Sequence, residues 1–190
     1  WWELQEWLDL LGANVKKSRP SILLSHCWLA YFTLDTDALS MILRALDALD
    51  VELEDSLLIA EKHFFASVVA YWEGRNADSR SFGDAAIADD PEETEMVAGE
   101  SSIHRALAMQ IDGETQQALS DLRADIKRAH KDSGLYLTRL LAAMSFVRLL
   151  NADLEFAYES ARQNIAVAIR ANLPYAGMWG KLVCGIASFS

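Results

Sequence analysis

Proline is almost missing from this chain, and where it does occur is informative. Pro20, Pro91 and Pro174 are its three prolines, and each is predicted to stand at a helix start, where a missing N–H costs nothing. Cysteine is scarcer still. Cys27 and Cys184 lie far apart in apolar surroundings, which predicts two reduced, buried thiols and excludes a disulfide framework. A cytoplasmic location is expected. Basic charge is in deficit, with 17 Lys and Arg against 28 Asp and Glu and a net charge of −11. That field repels phosphate backbones and anionic membranes, so neither nucleic acid nor membrane is an expected direct partner. No apolar run reaches the roughly 18 residues that span a bilayer. Sustained strand alternation is absent too. The opening "WWELQEWLDLLG" has no basic n-region and no cleavage site, unlike a signal peptide. With no initiating Met and an apolar helical pattern at its end, the chain is expected to be an internal piece of a longer protein.

Helical periodicity is what the sequence does contain. Apolar residues make up 52% of it, enough for a sizeable core. The pattern predicts helices over 1–13, 20–33, 36–50, 53–73, 76–89, 92–112, 114–131, 134–150, 152–171 and 173–189. In "DDPEET", Asp90 is placed to cap, Pro91 follows, and Glu92 and Glu93 meet the positive helix end. Short breaks recur at Leu34-Asp35, Gly74-Arg75, Gly113-Glu114 and Ala152-Asp153, each after a long apolar helix and before an amphipathic one. Seven residues before each break stands a small side chain: Cys27, Ser67, Ala106 or Ser145. Five after it stand Leu39, Ser79, Ala118 and Ala157. Small residues at both offsets let the two helices of a hairpin approach closely. These recurrences predict an all-α fold: a right-handed superhelix of tetratricopeptide-like hairpins. Its units cover about 20–50, 54–90, 92–131 and 134–171, with flanking helices 1–13 and 173–189, all in one domain.

The stretch from Leu4 to Leu39 resembles the junction that opens the helical-repeat region of the MalT-like, LuxR-type ATP-dependent transcriptional regulators. The matching residues are Trp7-Leu8, Arg19-Pro20, Leu23-Leu24, Cys27-Trp28 and Leu34-Asp35, and "EGRNADS", "IDGETQQALSDL" and "NADLEFAYESA" continue the rhythm. Leu34 replaces the family's turn glycine, and Gly83 stands where a large apolar residue is usual. The resemblance implies a sensing segment between a nucleotide-binding module and a helix-turn-helix. This chain carries neither GxxxxGK[ST] nor a basic recognition helix. The implied function is effector binding without catalysis, with DNA reached only through a separate module. The competing expectation is a tetratricopeptide adaptor or peptide-pheromone receptor that binds proteins.

Chemistry-bearing constellations are few. His26, His63, His104 and His130 fall on four different predicted helices, and His26-Cys27 are neighbours that point about 100° apart. No metal site, catalytic group or cofactor is expected. Glu100 and His104, four apart, suit a surface hydrogen bond. The acidic run around Pro91 reads as a solvated helix start. The first helix of each hairpin is expected to line the concave side of the superhelix. That places Trp28, Tyr31, Phe64, Tyr71, Trp72, Gln110, Arg139 and Phe146 as candidate contacts for a small-molecule or peptide effector or a protein partner. Aromatic faces suit such ligands, and Arg139 suits an anionic group. The charge balance also yields a test. In a gel shift at moderate salt the chain should leave duplex DNA unretarded, and a salt-sensitive micromolar complex would contradict the charge argument.

Overall fold

A computed structural model describes residues 2–49, 51–89, 95–129 and 134–189. Among the described residues all regular structure is helical: α1 (Trp2–Asp9), α2 (Ala13–Ser18), α3 (Pro20–Phe32), α4 (Thr36–Asp47), α5 (Ser56–Trp72), α6 (Asn76–Asp89), α7 (Glu95–Ile111), α8 (Thr115–Arg128), α9 (Gly134–Leu150), α10 (Leu154–Arg170) and α11 (Met178–Ser188). Pro20 opens α3 as expected. Asp35 caps α4, its carboxylate accepting the Ala38 N–H at 3.0 Å, and Asp55 caps α5 through the Leu57 N–H at 2.9 Å. The expected start at Asp90-Pro91 lies outside the described residues.

Two ends differ from the sequence expectation. The first predicted helix stops at Asp9 and a short second helix begins after Gly12, because "ANVKKS" offers no apolar stripe to continue the first. Pro174 does not open α11. The chain makes turns through Leu173–Gly177, closed by the Ala176 and Met178 N–H groups on the Leu173 and Tyr175 carbonyls, before helix resumes.

The four expected breaks share one backbone conformation. Leu34, Gly74, Gly113 and Ala152 all have positive φ, at 58°, 74°, 84° and 58°. Beyond each, the next N–H returns to the carbonyl five residues back: Asp35 to Ala30, Arg75 to Ala70, Glu114 to Met109 and Asp153 to Arg148, at 2.8–2.9 Å. This wrap satisfies carbonyls that a helix end leaves orphaned. Leu34 and Ala152 adopt it despite a Cβ, at a cost of about 1–2 kcal/mol. A fifth such residue, Asn172 (φ 55°), ends α10.

The small-residue offsets mark helix crossings. Cys27, Ser67, Ala106 and Ser145 are all buried, and so are Leu39, Ser79, Ala118 and Ala157. In the second hairpin the two positions bond directly, the Ser67 hydroxyl donating to the Ser79 carbonyl at 2.7 Å. Gly83 explains its own departure from the family pattern. A Cβ there would sit 3.3 Å from the Arg105 Cβ and 3.4 Å from the Ser67 Oγ, so α6 comes in close to both α5 and α7.

The principal helix contacts join elements adjacent or next-but-one in chain order. Each first helix (α3, α5, α7, α9) packs on its own second helix (α4, α6, α8, α10) and on the next first helix. Each second helix also packs on the first helix that follows it. The apolar core is correspondingly divided. One cluster fills α3 to α6 and reaches Val97, a second runs from Ile103 through α8 and α9, and a third joins α9, α10 and α11. Because Ala118 and Ala157 sit fully buried at crossings, replacing either with Phe should overpack its hairpin and cost about 1–3 kcal/mol. A thermal melt shifted by less than a degree would show that these alanines do not face a partner helix.

Candidate functional site

The two larger core clusters part at α7, and what lies between them is polar. Glu100, Ser101, Ser102 and His104 are all buried on this helix. Glu100 and His104 are 3% and 6% exposed, so the expected surface hydrogen bond is an interior one. The Glu100 carboxylate has two partners from different hairpins. Tyr31 of α3 donates its hydroxyl to Oε2 at 2.8 Å, and Arg139 of α9 places its Nε 2.8 Å from Oε1. Gly99 makes the second contact possible, since a Cβ there would meet the Arg139 side chain at 2.8 Å. One carboxylate thus joins the first, third and fourth hairpins.

His104 completes the cluster. Its ring lies 5.8–5.9 Å from those of Tyr31, Phe64 and Tyr71. Its Nδ1 is 3.1 Å from the Glu100 carbonyl oxygen, which only accepts, so Nδ1 carries the hydrogen. Burial lowers the His104 pKa and keeps the ring neutral. Burial also raises the Tyr31 pKa, and the Glu100 charge adds to that, so the phenol remains a donor. A second polar contact flanks the node. The Trp28 indole N–H donates to Glu61 of α5 at 2.7 Å, and burial raises the pKa of this carboxyl.

Of the candidates taken from sequence, Trp28, Tyr31, Phe64 and Tyr71 come together around His104 and the rings beside it. Three expectations need correction. Phe64 is wholly buried between Trp28, Tyr31 and Phe65, so it is a core ring with no face left for a ligand. Arg139 meets an anionic group, but that group is the chain's own Glu100. Phe146 stands apart, packed edge-on against Trp179 of α11 at 5.5 Å. Trp72 is 56% exposed beside Tyr71, while Trp28, Tyr31 and Tyr71 are half-buried. Gln110 is half-buried one turn before the Gly113 break. Sequence reasoning passed over Glu61 and Glu100 as site residues, although the repeat marks them. Residues 61, 100 and 139 are 39 apart and occupy one position of successive first helices.

The space beside this cluster is small. The depression between Tyr31, Leu34, Leu39, Val68 and Trp72 holds about 10 Å³, room for a single water. An open depression of about 460 Å³ lies elsewhere, between the start of α10 and the end of α11. Among the described residues no group of three His, Cys, Asp or Glu side chains is placed to hold a metal ion, and no helix is long and apolar enough to cross a membrane. Both cysteines are free thiols. The chain matches no protein-family model, no curated protein and no solved structure.

The buried node yields a stability test. Glu100→Ala leaves Arg139 charged and unpaired in the interior, and should cost about 3–5 kcal/mol in urea unfolding. Replacing both partners with apolar residues, Glu100→Leu with Arg139→Met, should recover most of that loss. A single-variant loss below about 1 kcal/mol would mean that the pair is solvated.

Proposed function

We propose that this chain is a non-catalytic sensing and interaction segment of a LuxR-type transcriptional regulator, with its hairpins winding as a right-handed tetratricopeptide-like superhelix. The observation that carries the proposal is the connected row along the first helices. Trp28 bonds with Glu61 of the next hairpin, and Tyr31 bonds with Glu100 two hairpins on, which in turn pairs with Arg139 of the hairpin after it. A ligand that displaces one member of the row changes the fit of hairpins one and two steps away. The polar seam at α7 lies between two apolar clusters. Effector binding would shift the superhelix between conformations there, and separate ATP- and DNA-binding modules would report the shift. The sequence resemblance supports the regulator assignment.

A second reading, a tetratricopeptide adaptor or peptide receptor, is favoured by one feature. The cluster offers exposed aromatic surface at Trp72 but no cavity for a compact small molecule, which suits an extended peptide better than a sugar-sized inducer. The coding sequence on either side separates the two. A nucleotide-binding P-loop upstream and a helix-turn-helix downstream fit the regulator, and their absence fits the adaptor.

The face itself is tested with tryptophan emission. A peptide or effector that docks there should change the emission of the chain, and Trp72→Ala or Tyr71→Ala should weaken binding by about 1–3 kcal/mol. Trp72→Ala should leave the melting temperature nearly unchanged, because that ring is mostly exposed. Unaltered affinity in both variants would remove this face from the function.

A further inference from the structure

The hairpin turns come together along one edge of the stack. Asn76 in the second turn bonds Asp112 in the third, and Arg80, just beyond the second, reaches Glu114. Two residues before each left-handed turn residue the sequence has a large apolar side chain: Phe32, Trp72, Ile111 and Leu150. Stacking accounts for apolar repeat positions that are buried, and this one is not. Trp72, Ile111 and Leu150 are 56%, 54% and 56% exposed. Phe32 is half-buried and stacked on Trp28, but Leu34, beside Trp72, is 71% exposed and continues the row. Single apolar residues on a surface need no explanation. Three at one repeat position form a ladder, and here each stands on a helix with further helices packed on both sides of it.

Carboxylates border the ladder. The turn stretches 33–38, 73–78, 112–117 and 151–156 each hold two acids, and Arg75 is their only base, against 17 bases to 28 acids in the whole chain. Arg75 is held by Glu73 and Asp78. Asp37 and Glu155 are exposed and have no ion pair among the described residues.

We propose that this edge docks an amphipathic helix of a protein partner, one with large apolar side chains in a seven-residue repeat and Lys or Arg on both flanks of that stripe. Packed helices lie about 8–10 Å apart, so rungs on successive first helices recur at about that interval. Seven residues of α-helix advance about 10.5 Å, so a single helix face meets one rung after another. Its basic flanks then meet the carboxylates that border the ladder. An acidic helix would instead be repelled by a chain that carries −11. This docking rests on the reading of the chain as an interaction segment, and extends its surface from Trp72 to Ile111 and Leu150.

The test is fluorescence polarisation of labelled peptides of about 22 residues, long enough to span four rungs, titrated with the 190-residue chain. The probe carries leucine at the first and fourth positions of each heptad and lysine on both flanks. It should bind, and more weakly as salt rises. A peptide with glutamate for every lysine should bind at least about tenfold more weakly. So should a scrambled peptide of the same composition, whose leucines no longer share a face. The double variant Ile111→Ser with Leu150→Ser should weaken the probe at least about tenfold. Its circular-dichroism melt should be unchanged, because both side chains are mostly exposed. Equal binding of the glutamate or the scrambled peptide would overturn the docking, as would full affinity in the double variant or no binding of the probe. Tyr71→Ala separates this from the aromatic face. Binding of another ligand that is lost in Tyr71→Ala and kept in the double variant would remove the ladder and leave that face standing.

Discussion

The left-handed turn residue is the constraint on which the rest of this structure hangs. At Leu34, Gly74, Gly113 and Ala152 the chain reverses within two residues, and a backbone bond across the turn locks the reversal. The fifth residue after the turn and the seventh before it are buried in all four hairpins, and in the second they bond directly. Seven of these eight positions carry a small side chain, with Leu39 the exception. Stacking follows, because a hairpin folded in this way has one apolar face left for the hairpin before it and one for the hairpin after.

Stacked hairpins distribute stability locally, since each touches mainly its neighbours. The Glu100 node departs from that rule. A tyrosine from the first hairpin and an arginine from the fourth converge on one carboxylate of the third. A buried ion pair adds little net stability over well-packed apolar residues. What it does is hold geometry: one carboxylate lies between a hydroxyl of the first hairpin and a guanidinium of the fourth. Along the edge of the stack, more exposed contacts act in the same sense at shorter range. Arg80 reaches Glu114 at 2.7 Å, and Asn76 reaches Asp112 at 2.9 Å, each tying one turn to the next. Arg105 holds Asp84 of α6 and Asp121 of α8 together.

The same architecture turns the charge-bearing groups of the node toward one another. His104 is neutral and spends its Nδ1 hydrogen on its own helix. Tyr31 is kept protonated, and Arg139 is bound to Glu100. Each group of the node is directed at another group of the node. Outside it, exposed apolar side chains include Trp2, Trp7 and Leu10 at the start of the chain, Trp72 on α5, and Met178 and Leu182 on α11.

The sequence by itself determined most of the helices, the four turns and the eight crossing positions, but not α2 or the start of α11. These depend on local chemistry: 3.6-residue periodicity, residues that tolerate a tight reversal, and small side chains at fixed offsets from it. Even Leu34 and Ala152, which lack the freedom of glycine, were legible from spacing. The aromatic candidates were legible as a group for the same reason, since they recur along first helices. Which of them would be open was not. Phe64 and Trp72 belong to the same helix and the same repeat argument, yet one is enclosed and the other exposed, because eight residues of helix turn them about 80° apart. Glu100 was least visible. An isolated glutamate four residues from a histidine reads as helix surface. Only the approach of α3 and of α9 to α7, the latter allowed by Gly99, turns it into a buried ligand for groups 69 residues before it and 39 after. Local sequence encodes where the chain bends. Which charges meet depends on distances set by the packing of several hairpins at once, and those exist only in the folded chain.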